Sequence, residues 1–142
     1  MNDFPIDIYF SLREFECPCC GAVRINKDFV QLLHQIRVDR GMVRITPGGG
    51  GYRCPAFQKG LHAARAQILK TRLVEPLVAA HVEGKAADIS IYSLSTSEKV
   101  PFTKDDVPYL KSLGFSGIGI GKTGWAHVDT AHDIPAIWEY DH

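Results

Sequence analysis

The sequence predicts an α+β domain, a small antiparallel sheet with helices packed on it. Helix-period patterning dominates the first half of the chain and strand-like alternation the second. Such segregation favours α+β over a doubly wound parallel sheet. The length, 142 residues, suits a single domain spanning 1–142. A chain of this size buries roughly 68–70% of its unfolded surface and needs no staples to fold.

The elements follow in order. Ser11 can cap a short turn over Leu12-Arg13-Glu14-Phe15, and Cys17-Pro18-Cys19-Cys20-Gly21 then interrupts regular structure. Asn26 reads as an N-cap, and Phe29, Leu32, Leu33 and Ile36 give one apolar helical face that ends by Gly41. Met42 to Thr46 is a short strand with Val43 and Ile45 on one side. Pro47 and Gly48 to Gly51 form a loop able to take positive φ or to approach another group closely. Pro55 suits the first turn of a helix reaching about Leu69, and Leu73 to Val82, with Pro76 inside, is irregular. Ala86 to Tyr92 alternates as a strand. Thr103 and Asp106 form a capping box that opens a helix through Leu110 and Leu113, stopped by Gly114. Gly117 to Gly121 and Trp125 to Asp129 are two strands joined at Lys122-Thr123-Gly124.

Composition narrows the function classes. Sixteen Lys plus Arg balance sixteen Asp plus Glu, so no long-range field draws the chain to nucleic acid or an anionic membrane. No apolar run approaches the ~18 residues of a membrane span, so no membrane insertion is expected. Met1 to Ile8 is acidic and lacks an apolar core, so no signal peptide is expected.

The chemistry concentrates in two segments, His81-Val82-Glu83-Gly84-Lys85-Ala86-Ala87-Asp88 and Trp125-Ala126-His127-Val128-Asp129. Asp88 stands in a small, apolar strand, where a carboxylate is costly unless a cation compensates it. Alternation puts Trp125, His127 and Asp129 on one face and Ala126 and Val128 on the other. Catalytic zinc takes three protein ligands and keeps a position open for water. Read plainly, a strand histidine is a hydrogen-bonded core residue and a buried aspartate is a turn anchor.

His-x-x-Gly-x-Ala-Ala-Asp followed by a His-Val-Asp strand resembles the zinc D-alanyl-D-alanine carboxypeptidases. That family includes phage endolysin L-alanyl-D-glutamate endopeptidases and shares its fold with the hedgehog signalling domain. Phe10-Ser11-Leu12-Arg13-Glu14-Phe15 resembles the family's opening turn, and Gly51-Tyr52-Arg53-Cys54-Pro55 its Ser-Gly-Tyr-Arg-x-Pro segment. The likeness spans nearly the whole chain. It implies a hedgehog-type zinc fold and one zinc ion on His81, Asp88 and His127. It also implies that Arg53 stabilises the negative charge growing on an attacked carbonyl; read plainly, Arg53 is a surface ion-pairing arginine. The implied substrate is a peptidoglycan stem peptide, cut by a monomer that reaches the wall after lysis or another release from the cytoplasm, as a phage or prophage product would.

The sequence also departs from the family. Many relatives carry a glutamate three residues, or a histidine two residues, before the last ligand as general base; here these are Gly124 and Trp125. Asp129 is then the leading candidate for proton acceptor and is taken as catalytic with Arg53, its alternative being a carboxylate that orients a ligand histidine. Glu83 and His132 rank behind it. Trp125 can floor a cleft or serve as core. The polar residue usual two before the first ligand is Ala79, and the stretch from Arg53 to His81 is longer by roughly one helical segment. The alternative to catalysis is a zinc-containing binding or structural module, for example a phage-particle component.

Cys17-Pro18-Cys19-Cys20-Gly21 contains Cys-Pro-x-Cys-Gly, half of a zinc knuckle. Completing it needs Cys54 and Cys19, and Cys19 within the same turn would be strained. The expectation is therefore packing of Cys54 against that turn, as thiols or as a disulfide. His34 and His62 read as surface or boundary residues.

Overall fold

The computed structural model describes residues 6–61 and 80–142. The expected helix beyond residue 61, the irregular segment from Leu73, His62 and Ala79 lie outside these. The short turn Leu12–Phe15 is closed by the Ser11 N–H donating to the Glu14 carboxylate at 2.7 Å. Helix α1, Lys27–Arg40, starts where Asn26 Oδ1 accepts the Phe29 N–H at 2.9 Å. It stops at Gly41, whose φ of +134° and closeness to the Tyr92 carbonyl admit no side chain. Helix α2 begins at residue 55 and is described to 61. Helix α3, Val107–Leu113, follows a tight turn at Lys104–Asp106 and ends on Gly114 at φ +116°.

The strands are β1 Met42–Ile45, β2 Ala86–Tyr92, β3 Lys99–Val100, β4 Gly117–Ile120, β5 Ala126–Asp129 and β6 Ala136–Glu139. Their order is β1-β2-β5-β4-β6, with β3 added beside β2. The α+β class is therefore present, but the sheet is mixed rather than antiparallel throughout. Strand β5 returns antiparallel to β4, residues 130–135 cross past the start of β4, and β6 then runs beside β4 in parallel. The hairpin supplies the long connection that a parallel pair requires.

Alternation divides the sheet into two faces. Val43, Ile45, Ala87, Ile89, Ile91, Ile118, Ile120, Ala126 and Val128 join Phe29, Leu33 and Ile36 of α1 and Leu110 of α3 in one buried core. Each large apolar side chain buried there contributes roughly 1.5–3 kcal/mol. The opposite face presents Asp88 and Ser90 of β2, His127 and Asp129 of β5, and only glycine on β4, at Gly117 and Gly119. Cβ atoms at these glycines would strike the Asp129 carboxylate and the Trp138 ring respectively. The small residues of β4 are thus what leaves room for chemistry above the sheet.

Candidate metal centre

Three backbone segments deliver the site. Asp88 and His127 are direct partners across the β2–β5 ladder, which fixes their side chains next to each other. His81 comes from the turn 80–84, tied down by the Asn26 N–H on the Gly84 carbonyl at 2.9 Å and the Lys85 N–H on that of Ala80 at 3.1 Å. The glycine loop approaches from the third side. The Asp88 N–H donates to the Gly50 carbonyl at 2.8 Å, and Gly51 lies so close to the Phe15 backbone that a Cβ would not fit.

Ligand atoms of His81, Asp88 and His127 all lie within 4.8 Å of one another. Asp88 Oδ1 is 3.5 Å from His81 Nε2 and 3.1 Å from His127 Nδ1. Its other oxygen, Oδ2, accepts from an Arg53 terminal nitrogen at 3.0 Å. Arg53 is itself aimed by its Nε on the Gly49 carbonyl and its Nη1 on Gln58 Oε1. One carboxylate oxygen therefore faces the two histidines and the other is held by the guanidinium. His81 Nδ1 donates to the Gly51 carbonyl at 2.8 Å, which leaves its Nε2 lone pair turned toward Asp88.

His127 is gripped from both sides, by Asp88 on Nδ1 and by Asp129 Oδ2 on Nε2 at 2.7 Å. Asp129 has 0% exposure. Its Oδ1 accepts from the Ala131 N–H at 3.1 Å and meets His132 Nδ1 at 2.7 Å. Both its oxygens are occupied beneath the site, and His132 rises from it onto the wall of the cleft.

The electrostatics follow from this packing. Burial lowers the His81 pKa and outweighs the pull of Asp88, so His81 is neutral and ready to ligate. Burial also works against a charge on His127, but the hydrogen bonds to Asp129 and Asp88 prevail and raise its pKa. Burial would raise Asp88 and Asp129; instead their histidine partners lower both, Asp88 to well below the usual carboxylate range. Two anionic carboxylates, a neutral imidazole with its lone pair presented and a second oriented imidazole fit a divalent cation such as zinc.

The cleft over this centre is about 1070 Å³. Trp125, Trp138 and Tyr140 line it, with Trp125 and Tyr140 rings 4.7 Å apart and Trp138 5.2 Å from His127. Glu83 also lies on its wall. Trp138 and Tyr140 went unread in the sequence, although the period-two run Ala136, Trp138, Tyr140 on a β-prone segment was the signal available.

The cysteines gather elsewhere. Cys54 packs on the Cys17–Cys20 turn as expected, with all four as free thiols. Cys19, expected to be excluded by strain, joins them: the four Sγ atoms lie within 4.8 Å of one another. Among the described residues no helix is long and apolar enough to cross a membrane. No family model matches the chain, and no curated protein does either.

Proposed function

We propose that the protein is a zinc peptidase of the D-alanyl-D-alanine carboxypeptidase type, acting as a monomer on peptidoglycan stem peptides. The observation that carries this reading is the convergence of His81, Asp88 and His127 at the base of an open cleft, with Arg53 at its edge. The substrate class rests on the resemblance of the His81–Asp88 and Gly51–Pro55 segments, as does the hedgehog-type assignment of the fold.

Zinc held by these three residues would supply a Lewis acid and lower the pKa of water toward ~7. The remaining steps belong to the chain. His132, anchored through Nδ1 on Asp129, uses Nε2 to accept the proton of the attacking water. Asp129 positions His127 and His132 together and does not touch substrate, because it is fully buried with both oxygens engaged. Arg53 offers its guanidinium to the carbonyl oxygen as negative charge grows there. Trp125, Trp138 and Tyr140 give the peptide an apolar wall.

The fully enclosed Asp129 also favours a second reading, a zinc-bearing binding module with no working base. Purified protein of measured zinc content, incubated with purified peptidoglycan, separates the two. New amino termini or free D-alanine support the peptidase; stoichiometric zinc with no release at any pH supports the binding module.

A further inference from the structure

We propose that Cys17, Cys19, Cys20 and Cys54 hold a second zinc ion, in a closed four-thiolate site that staples the N-terminal turn to the segment carrying Arg53. The proposal is independent of the peptidase reading. Cys17 Sγ is 3.5 Å from Cys19 Sγ, which is 3.2 Å from Cys54 Sγ, and all four sulfurs fall within 4.8 Å. A tetrahedral zinc with Zn–S bonds of about 2.3 Å spaces its sulfurs by about 3.8 Å, so small side-chain adjustments seat the ion. None of the sulfurs is at the ~2.05 Å of a disulfide. A single disulfide would also use only two of the four and leave the other thiols grouped without purpose.

The backbone around the sulfurs is arranged for thiolates. The Cys54 N–H points at Cys17 Sγ and the Phe57 N–H, in the first turn of α2, at Cys54 Sγ, both at 3.4 Å. Such donors favour the ionised sulfur, which is the form that ligates metal. The turn is itself closed by the Gly21 N–H on the Cys17 carbonyl and the Cys17 N–H on the Ala22 carbonyl, each 2.8 Å, with Gly21 at φ +72°. That reversal lets Cys17, Cys19 and Cys20 point to one centre, and Cys54 arrives from the chain just after Arg53. The neighbouring contact of the Tyr52 N–H on the Phe15 carbonyl, 2.8 Å, runs alongside the staple.

The test uses the full chain, reduced and loaded with zinc. Native mass spectrometry is expected to show two zinc ions per chain, one after His81→Ala and one after Cys20→Ser. With cobalt in place of zinc, intense tetrahedral thiolate bands are expected, kept in His81→Ala and lost in Cys20→Ser. Should Cys20→Ser fail to fold, thiol labelling of the unaltered protein decides. All four thiols are expected to resist a maleimide until a chelator strips the zinc. At most one zinc in the unaltered protein together with none in His81→Ala, immediate labelling of four thiols in the zinc-loaded protein, or a Cys19–Cys54 disulfide that forms in the presence of zinc would each overturn the proposal.

Discussion

At the scale of single residues, the site is a chain of oriented groups rather than three isolated ligands. Asp129 is the link beneath, gripping His127 and His132 with separate oxygens. Replacing it with asparagine keeps the shape but removes the charge. Asp129→Asn is expected to weaken zinc binding about 10–100-fold, read by competition with a chromophoric chelator. His132→Gln should instead leave zinc affinity unchanged and lower turnover on peptidoglycan fragments by roughly 10²–10⁴-fold. Turnover unaffected by His132→Gln would move the base to Glu83. The candidate ligands were legible in the sequence through the resemblance of the His81–Asp88 and His127–Asp129 segments to a zinc family, with the cost of burying Asp88 in support. The two roles open to Asp129 were not separable there, since strand alternation gives the face of a residue but not what stands on its far side.

At the scale of elements, the β2–β5 pairing does the most for the site, because one ladder rung carries Asp88 opposite His127. Strand β4 contributes by what it lacks. Gly117→Ala would drive a methyl into the Asp129 carboxylate, so a loss of about 1–3 kcal/mol is expected in urea unfolding, along with weaker zinc binding. The helices and the central strands were readable from caps and periodicity: Asn26 starts α1 and Gly114 ends α3 as the sequence indicates. Strand β3 was missed because two exposed residues carry no pattern; the β6 segment carries only the short period-two run Ala136, Trp138, Tyr140, with Ile137 and Glu139 exposed between them. The parallel pairing of β6 depends on where residues 130–135 cross, which no local pattern encodes.

At the scale of the whole molecule, folding and metal binding share the same groups, so pH acts on both. In the metal-free protein the folded pKa values of Asp88 and Asp129 lie below the ordinary 3.8. The unfolded chain therefore binds more protons in acid. The stability they contribute is complete above about pH 5 and falls away as pH drops further. The lowered His81 costs stability as pH falls below 6.5, and the stability from the raised His127 is lost as pH rises above 6.5, so urea melts of chelated protein should show a maximum near that pH. Zinc must displace the proton on His127 Nδ1, the nitrogen that faces Asp88, so its affinity should rise as pH increases from about 5 to 8. Calorimetric titration in two buffers of different ionisation enthalpy reads that proton release. The central claim is the ion itself, and anomalous diffraction at the zinc edge from crystals of the zinc-loaded protein tests it most directly. The account predicts a peak about 2.0–2.2 Å from a nitrogen of His81, a nitrogen of His127 and an oxygen of Asp88; density for these side chains with no anomalous peak between them would contradict it.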